Sequence, residues 1–281
     1  MRFRVSSQME YEVLSSSTLI LNIHALRTPN QTVLEESLSV EPYLKSEELI
    51  SIQGENRFMR IEIEQPCYLK INYSAMVDNQ TKLIDSELLD DVPISQLDAS
   101  ILPYLYPSRY CQSDKLYRLA YNKFGNIVNA YQKVIELTDW IHRNVEYLSG
   151  STNSQTSAYD TVTEQAGVCR DFAHLGIALC RALTIPARYF TGYAYKLDPP
   201  DFHACFEAYI GGEWIVFDAT KLTPLNGLVK IASGRDAADT AIASIFGNVI
   251  CRPISVTSEC LEEKFEPFFY HPTTPKGLAY L

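Results

Sequence analysis

Through about Val77 the chain alternates apolar and polar positions with a period of two. The stretches "RFRVSSQMEYEV" from Arg2, "STLILNIHAL" from Ser17, "RFMRIEIE" from Arg57 and "CYLKINYSAMV" from Cys67 either alternate or concentrate β-branched and aromatic residues, with polar or Pro breaks between them. Successive side chains of a strand point to opposite faces, so each stretch reads as a strand with one face toward a core. Together they predict a small, mostly antiparallel β domain. From Asp78 to about Tyr110 the alternation lapses into an acidic "DSELLDD" and then "PYLYPSRYC", where Pro103 and Pro107 disfavour helix in the residue before each. The linker is placed there. This divides the chain into an N-terminal β domain over 1–105 and a core with a C-terminal tail over 106–281.

Past the linker the period changes to that of a helix. "SDKLYRLAYNKFG" opens on a Ser/Asp cap, puts Leu116, Leu119, Ala120 and Phe124 on one side, and stops at Gly125. "NAYQKVIELTDWIHRNVEYL" repeats the pattern with Ala130, Val134, Leu137, Ile141 and Val145 in one stripe. The Ser/Thr-rich "SGSTNSQTSAYD" interrupts as a surface loop, followed by a short helix reaching Gln165 and then by "GVCRDFAHLGIALC", an apolar helix opened by Cys169. After Pro186 three strands follow: "ARYFTGYAY", "HACFEAYI" and "EWIVFDAT". The last two form a hairpin across Gly211 and Gly212, because two glycines between such runs suit a primed turn. "CRPISVTSE" from Cys251 reads as one further strand, and the Pro/aromatic tail is assigned no element. The fold class is α+β: an antiparallel β domain, then helices packed on an antiparallel sheet.

Cys169 stands where turn residues give way to helix. The unpaired N–H groups of a helix start favour an anion there by ~0.3–1 kcal/mol, which is modest. A reactive cysteine also needs an imidazolium beside it. Of the five histidines, His24 lies in the β domain, His142 on a helix surface and His271 in the tail, while His174 sits about one turn along the Cys169 helix as a packed or capping side chain. His203 opens a strand. With Gly211 and Gly212 as the loop, the hairpin pairs Ile210 with Glu213, Cys205 with Asp218 and His203 with Thr220, so His203, Cys205, Asp218 and Thr220 share one face. Asp218 is then the diagonal neighbour of His203, within reach of an imidazole N–H. That is the arrangement in which an acid orients a base for a nucleophile. Taken singly, each residue has a plainer reading: a buried structural thiol, a polar strand end, a turn-forming Asp. Their coincidence is what selects Cys169, His203 and Asp218.

Composition narrows the classes further. The net charge of −10, without a basic cluster, argues against nucleic acid as a partner. No apolar run approaches the ~18–20 residues of a membrane span, so a soluble chain with no membrane partner is expected. The opening "MRFRVSSQMEYEV" lacks the apolar region of a secretory signal. The seven cysteines are scattered without a CxxC, which reads as free thiols in a reducing compartment, the cytoplasm, with no metal.

The motifs "GVCRDFA" and "HACFEAYIGGEWIVFDAT" resemble the nucleophile turn and the His and Asp strands of the transglutaminase-like superfamily, a papain-related cysteine fold. The similarity covers roughly Ser113 to Gly247. It extends to the N-terminal β module through a bacterial branch that shares the strings "PSRYC", "GSTNSQTSA" and "GRDAAD". The resemblance implies a Cys169–His203–Asp218 triad, a thioacyl-enzyme, a peptide or protein substrate and no cofactor. Two positions depart from the family pattern: Cys205 replaces a Trp, and Ala219 a Pro. Cys205 is read as a small packing residue, with a redox partnership to Cys169 as the alternative.

For the oxyanion, the Cys169 N–H is one donor, and Gln165, four residues earlier, is a candidate for the second. Asp171 suits the helix dipole and can cap free N–H groups, while Arg170 reaches outward to a carboxylate at the cleft. Arg235 in "GRDAAD" forms a salt bridge beside a cap or closes the cleft, and Arg109 pairs with an acid across the junction. Hydrolysis of a peptide or amide is the leading expectation. Acyl transfer to an amine by the same triad, or a non-catalytic peptide-binding module, are the alternatives.

Overall fold

The computed structural model describes residues 1–51, 56–270 and 276–280. Its strands are β1 (Arg2–Val13), β2 (Ser17–Leu21), β3 (Gln31–Glu41), β4 (Ser46–Ile50), β5 (Arg57–Ile63), β6 (Cys67–Asn79) and β7 (Thr81–Asp85). The helical region follows with α1 (Ser113–Phe124), α2 (Ala130–Asn144), the short β8 (Glu146–Tyr147), α3 (Ala158–Glu164), β9 (Ala166–Gly167) and α4 (Cys169–Ala182). Then come β10 (Ala187–Ala194), β11 (Phe202–Ile210), β12 (Glu213–Phe217), β13 (Leu228–Gly234), α5 (Ala237–Thr240), β14 (Ala243–Phe246), β15 (Val249–Cys251), β16 (Ser255–Cys260) and β17 (Lys276–Tyr280).

The first residues build two facing antiparallel sheets, ordered β15-β1-β6-β3, with β16 also on β1, and β14-β2-β5-β4. Alternation in β1 and β6 sends Phe3, Val5, Met9, Tyr11, Leu69 and Ile71 into the shared core. Each such fully buried side chain contributes about 1.5–3 kcal/mol. Strands β3 and β4 were not evident from the pattern, because both are sheet edges whose side chains are mostly exposed or polar. In β3, the acid Glu36 turns inward only because Arg57 of β5 and the Tyr73 hydroxyl meet it, at 2.8 and 2.7 Å.

A third sheet, ordered β13-β10-β11-β12-β17-β7, carries the second core. Helix α4 lies on it so closely that a Cβ on Gly176 would meet the Phe206 ring at 2.4 Å. The fold is therefore α+β as expected, but the sheet is larger than the three strands the pattern gave. β13 joins one edge, while β17, from the unassigned tail, pairs with β7 inside the stretch read as linker. "CRPISVTSE" is split between the ends of β15 and β16 by Arg252–Ile254, where Pro253 cannot donate to a ladder. Helix α1 starts at Ser113, with Gln112 as its N-cap and no side-chain cap bond, in place of the expected Ser/Asp cap.

Strands β14, β15 and β16, which follow β13 in the chain, add to the first two sheets. The two cores thus meet, and Tyr193 and Val229 of the third sheet sit in the first core. No helix among the described residues is long and apolar enough to cross a membrane.

Candidate active site

The register of the β11–β12 hairpin is the one the sequence specifies: Ile210 pairs with Glu213 and Phe206 with Phe217, with Gly211 and Gly212 at φ +60° and +80° in the turn. A type I′ turn, with positive φ at both central residues, matches the twist of the strands it joins. The ladder ends at Phe217, and Asp218 follows in line.

The His203 Nε2 lies 2.8 Å from Asp218 Oδ2. Both side chains are almost wholly buried. Asp218 is held in turn by Thr220, whose backbone N–H donates to Oδ1 at 2.8 Å and whose hydroxyl lies 2.8 Å from Oδ1 and 2.9 Å from Oδ2. The loop after Asp218 is pinned by His142, expected on a helix surface, whose Nδ1–H donates to the Ala219 carbonyl at 3.0 Å.

Burial opposes a charge on His203, but the Asp218 carboxylate, by charge and by hydrogen bond, together with the neighbouring Cys169, outweighs it and pushes the imidazole up to about 10. Nε2 is committed to Asp218, so Nδ1, buried and without a full hydrogen bond, is the nitrogen left for the sulfur.

Cys169 is the first residue of α4 and is half-buried. The adjacent charges fix the turn that presents it. Asp171 Oδ2 accepts from the Val168 N–H at 3.0 Å and from the Thr152 hydroxyl at 2.8 Å, while Oδ1 accepts from Arg170 at 2.9 and 3.2 Å. The carboxylate is wholly buried against Gly167, where a Cβ would meet Asp171 Cβ at 2.8 Å. Arg170 thus finds its acid in the next residue, and its second partner is the Asn153 carbonyl at 2.7 Å.

Gln165 is not brought to the site. It is exposed and ends α3 in the left-handed region at φ 56°, with its carbonyl accepting from Glu146 N–H at 2.8 Å. The phenol that does stand at the nucleophile is Tyr147, which sequence reasoning missed. It pairs with Gly167 in the two-residue β8–β9 ladder, and its ring lies 5.9 Å from Phe172. Burial and the Cys169 sulfur push the phenol up to about 12, while a hydrogen bond from the Cys169 backbone N–H pulls the other way. A two-residue strand has no periodicity to read, so only the third dimension marks this tyrosine.

The strings with no assigned role converge on the other side of Cys169. Tyr110 of "PSRYC" donates its N–H to Asp236 of "GRDAAD" at 2.8 Å and its hydroxyl to the Ser154 carbonyl of "GSTNSQTSA" at 2.8 Å. His174 stacks on Tyr110 with ring centres 5.0 Å apart, and its Nε2 accepts from the Ala237 N–H at 3.1 Å. Arg181 ties the same strings from behind, donating to the Tyr106 and Arg235 carbonyls at 3.0 and 2.6 Å. Arg235 pairs with Asp239 at 2.9 Å, as the salt-bridge reading had it. Arg109 lies over the Tyr110 ring and makes no ion pair among the described residues. Cys205 is buried on the Phe190 side of the sheet, with its thiol pushed up by burial. His24 is buried against Tyr73, and His271 lies outside the described residues. The result is a cleft of about 440 Å³ with Cys169, Arg170 and His203 on one side and Tyr110, Ala237 and Ile254 on the other. No cluster of metal-ligating side chains occurs among the described residues.

A cysteine at a helix start, beside a buried His–Asp pair on one side of an open cleft, defines the papain-like class of cysteine fold. Residues 1–100 match the bacterial transglutaminase N-terminal domain, and residues 118–219 match the transglutaminase-like superfamily. The chain is 59% identical to a protein from Cytophaga hutchinsonii described as a "putative cysteine protease", over 100% of this chain and 98% of that one, with a TM-score of 0.98. It is also 25% identical to an uncharacterized protein of Mycobacterium leprae, over 85% of this chain and 91% of that one. The chain belongs to the transglutaminase-like superfamily.

Proposed function

We propose that this protein is a cysteine hydrolase that cleaves a peptide or amide bond through Cys169, His203 and Asp218. The observation that carries the reading is the buried His203–Asp218 contact at 2.8 Å, which leaves the other imidazole nitrogen free for the Cys169 thiol. His203 takes the thiol proton, and the sulfur attacks the amide carbonyl to give a tetrahedral oxyanion. The imidazolium returns the proton to the leaving amine, so the C–N bond breaks and a thioester on Cys169 remains. Water then attacks the thioester with His203 as base, releasing a carboxylic acid and restoring the thiol. Asp218 holds the ring and its charge through both steps. The Cys169 N–H at the start of α4 is one donor for the oxyanion, and the Tyr147 phenol beside Cys169 is the second in place of Gln165.

The compartment we assign is the cytoplasm, since all seven cysteines are free thiols. The test is to incubate wild type and Cys169→Ala with a broad peptide library, with and without a primary amine, and to read products by mass. Cys169-dependent cleavage is the expected result. Amine-coupled product at the expense of acid would replace hydrolysis by acyl transfer, and no Cys169-dependent product would leave a binding module.

A further inference from the structure

The cleft beside Cys169 contains one acid that the mechanism does not use. Asp201 lies two residues before His203, at the exposed rim of the cleft. Its Oδ1 accepts the Phe202 N–H at 2.7 Å, while Oδ2 makes no hydrogen bond among the described residues. Burial raises its carboxyl above the ordinary value, only partly offset by the Phe202 N–H and the charge on His203. No side-chain cation pairs with this carboxylate among the described residues, and Oδ2 is open to the cleft. The other ionisable groups of the cleft cannot supply one: Arg170 is bound to Asp171 and the Asn153 carbonyl, and His203 to Asp218. The facing wall, formed by Ala237, Ile242, Ala243 and Ile254, is apolar and carries no charge of its own. A net charge of −10 adds a general attraction for cations.

We infer that Asp201 is a specificity-determining residue that pairs with a primary ammonium group of the substrate, seated in the cleft beside the Cys169–His203 pair. This rests on the hydrolase reading above and deepens it by naming a substrate class. The ammonium has two sources: the cleaved peptide itself, through a free N-terminus or a lysine, or a separate amine that first gives up a proton to solvent and then takes the acyl group from the thioester, returning Cys169 to the thiol. In both cases Oδ2 of Asp201 receives the N–H donors, and the apolar wall packs the carbons that bear them.

The test compares matched peptides that differ only in whether their amine is free or acetylated, with wild type, Asp201→Asn and Asp201→Glu. Wild type is expected to favour the free amine by about tenfold in kcat/KM. Asp201→Asn should remove that preference through KM, cost the free-amine peptide more than the acetylated one, and be partly reversed by Asp201→Glu. Loss of amine-coupled product alone in Asp201→Asn would assign the ammonium to the separate acceptor. Equal treatment of both peptides by wild type, or an equal loss on both in Asp201→Asn, would overturn the inference.

A second measurement does not depend on turnover. The rates at which cationic 2-aminoethyl methanethiosulfonate and neutral methyl methanethiosulfonate modify Cys169 are read by peptide mass. Their ratio should fall about fivefold or more in Asp201→Asn. An unchanged ratio counts against Asp201 even if peptides are cleaved. A falling ratio with no peptide cleaved supports Asp201 while the hydrolase reading fails.

Discussion

Two buried imidazoles flank the start of α4, and their surroundings drive them in opposite directions. His203, on the hairpin side, has a carboxylate on Nε2, and despite burial it is pushed up to about 10. His174, on the loop side, is equally buried, but its Nε2 accepts a backbone N–H and its charged neighbours are Arg170 and Arg181. Burial first, and those cations second, hold it well below its ordinary value. Burial alone therefore does not decide the state of a histidine in this protein; the partner on the ring does. One ring holds a proton beside Cys169, and the other stays neutral and accepts the first N–H of α5.

The largest effect should come from removing the hairpin side. Cys169→Ala and His203→Ala are each expected to lower the Cys169-dependent product rate on the order of 10⁴-fold or more, measured by mass at saturating peptide. Asp218→Asn keeps the shape but takes away the charge that raises His203. Activity should fall by about 10²–10⁴-fold, and the alkaline limb of its pH profile should move down by about 1–3 units. An alkaline limb that stays in place would mean that Asp218 does not set the state of His203.

On the loop side the readout is stability. His174→Ala leaves the Ala237 N–H without its acceptor and a gap between Tyr110 and Tyr189, so urea unfolding should show a loss of about 2–4 kcal/mol. The smallest expected effect separates the rings by pH. The His203 pKa is raised on folding, so its contribution is complete below pH 6.5 and is lost as pH rises through about 10. The His174 pKa is lowered on folding, so its contribution is complete above pH 6.5 and is lost as pH falls below that value. Wild type should accordingly lose up to about 1.4 kcal/mol per unit below pH 6.5 through this group, a slope that His174→Gln removes.

The hairpin side was legible because a period of two and a two-glycine turn leave a single register that puts His203 and Asp218 on one face. Cys169 was legible because polarity changes at a helix start. The loop side was not legible: Tyr110, Ser154, Asp236 and Ala237 meet through backbone groups, which every residue carries and no sequence pattern marks. Tyr147 escaped for a related reason, since its strand is two residues long. Strands β3, β4 and β7 were hidden by their positions at sheet edges, and β17 by its Pro/aromatic surroundings.

Strand β1 pairs with β15 and β16, and β2 with β14, across more than two hundred residues of intervening chain. During synthesis the N-terminal sheets must therefore wait with open edges until residues 243–260 have left the ribosome. The wall segment holding Ala243 and Ile254 arrives with those strands, so the cleft acquires its final shape only after the N-terminal sheets are closed. A nascent chain thus carries the Cys169 thiol well before the cleft beside it is complete.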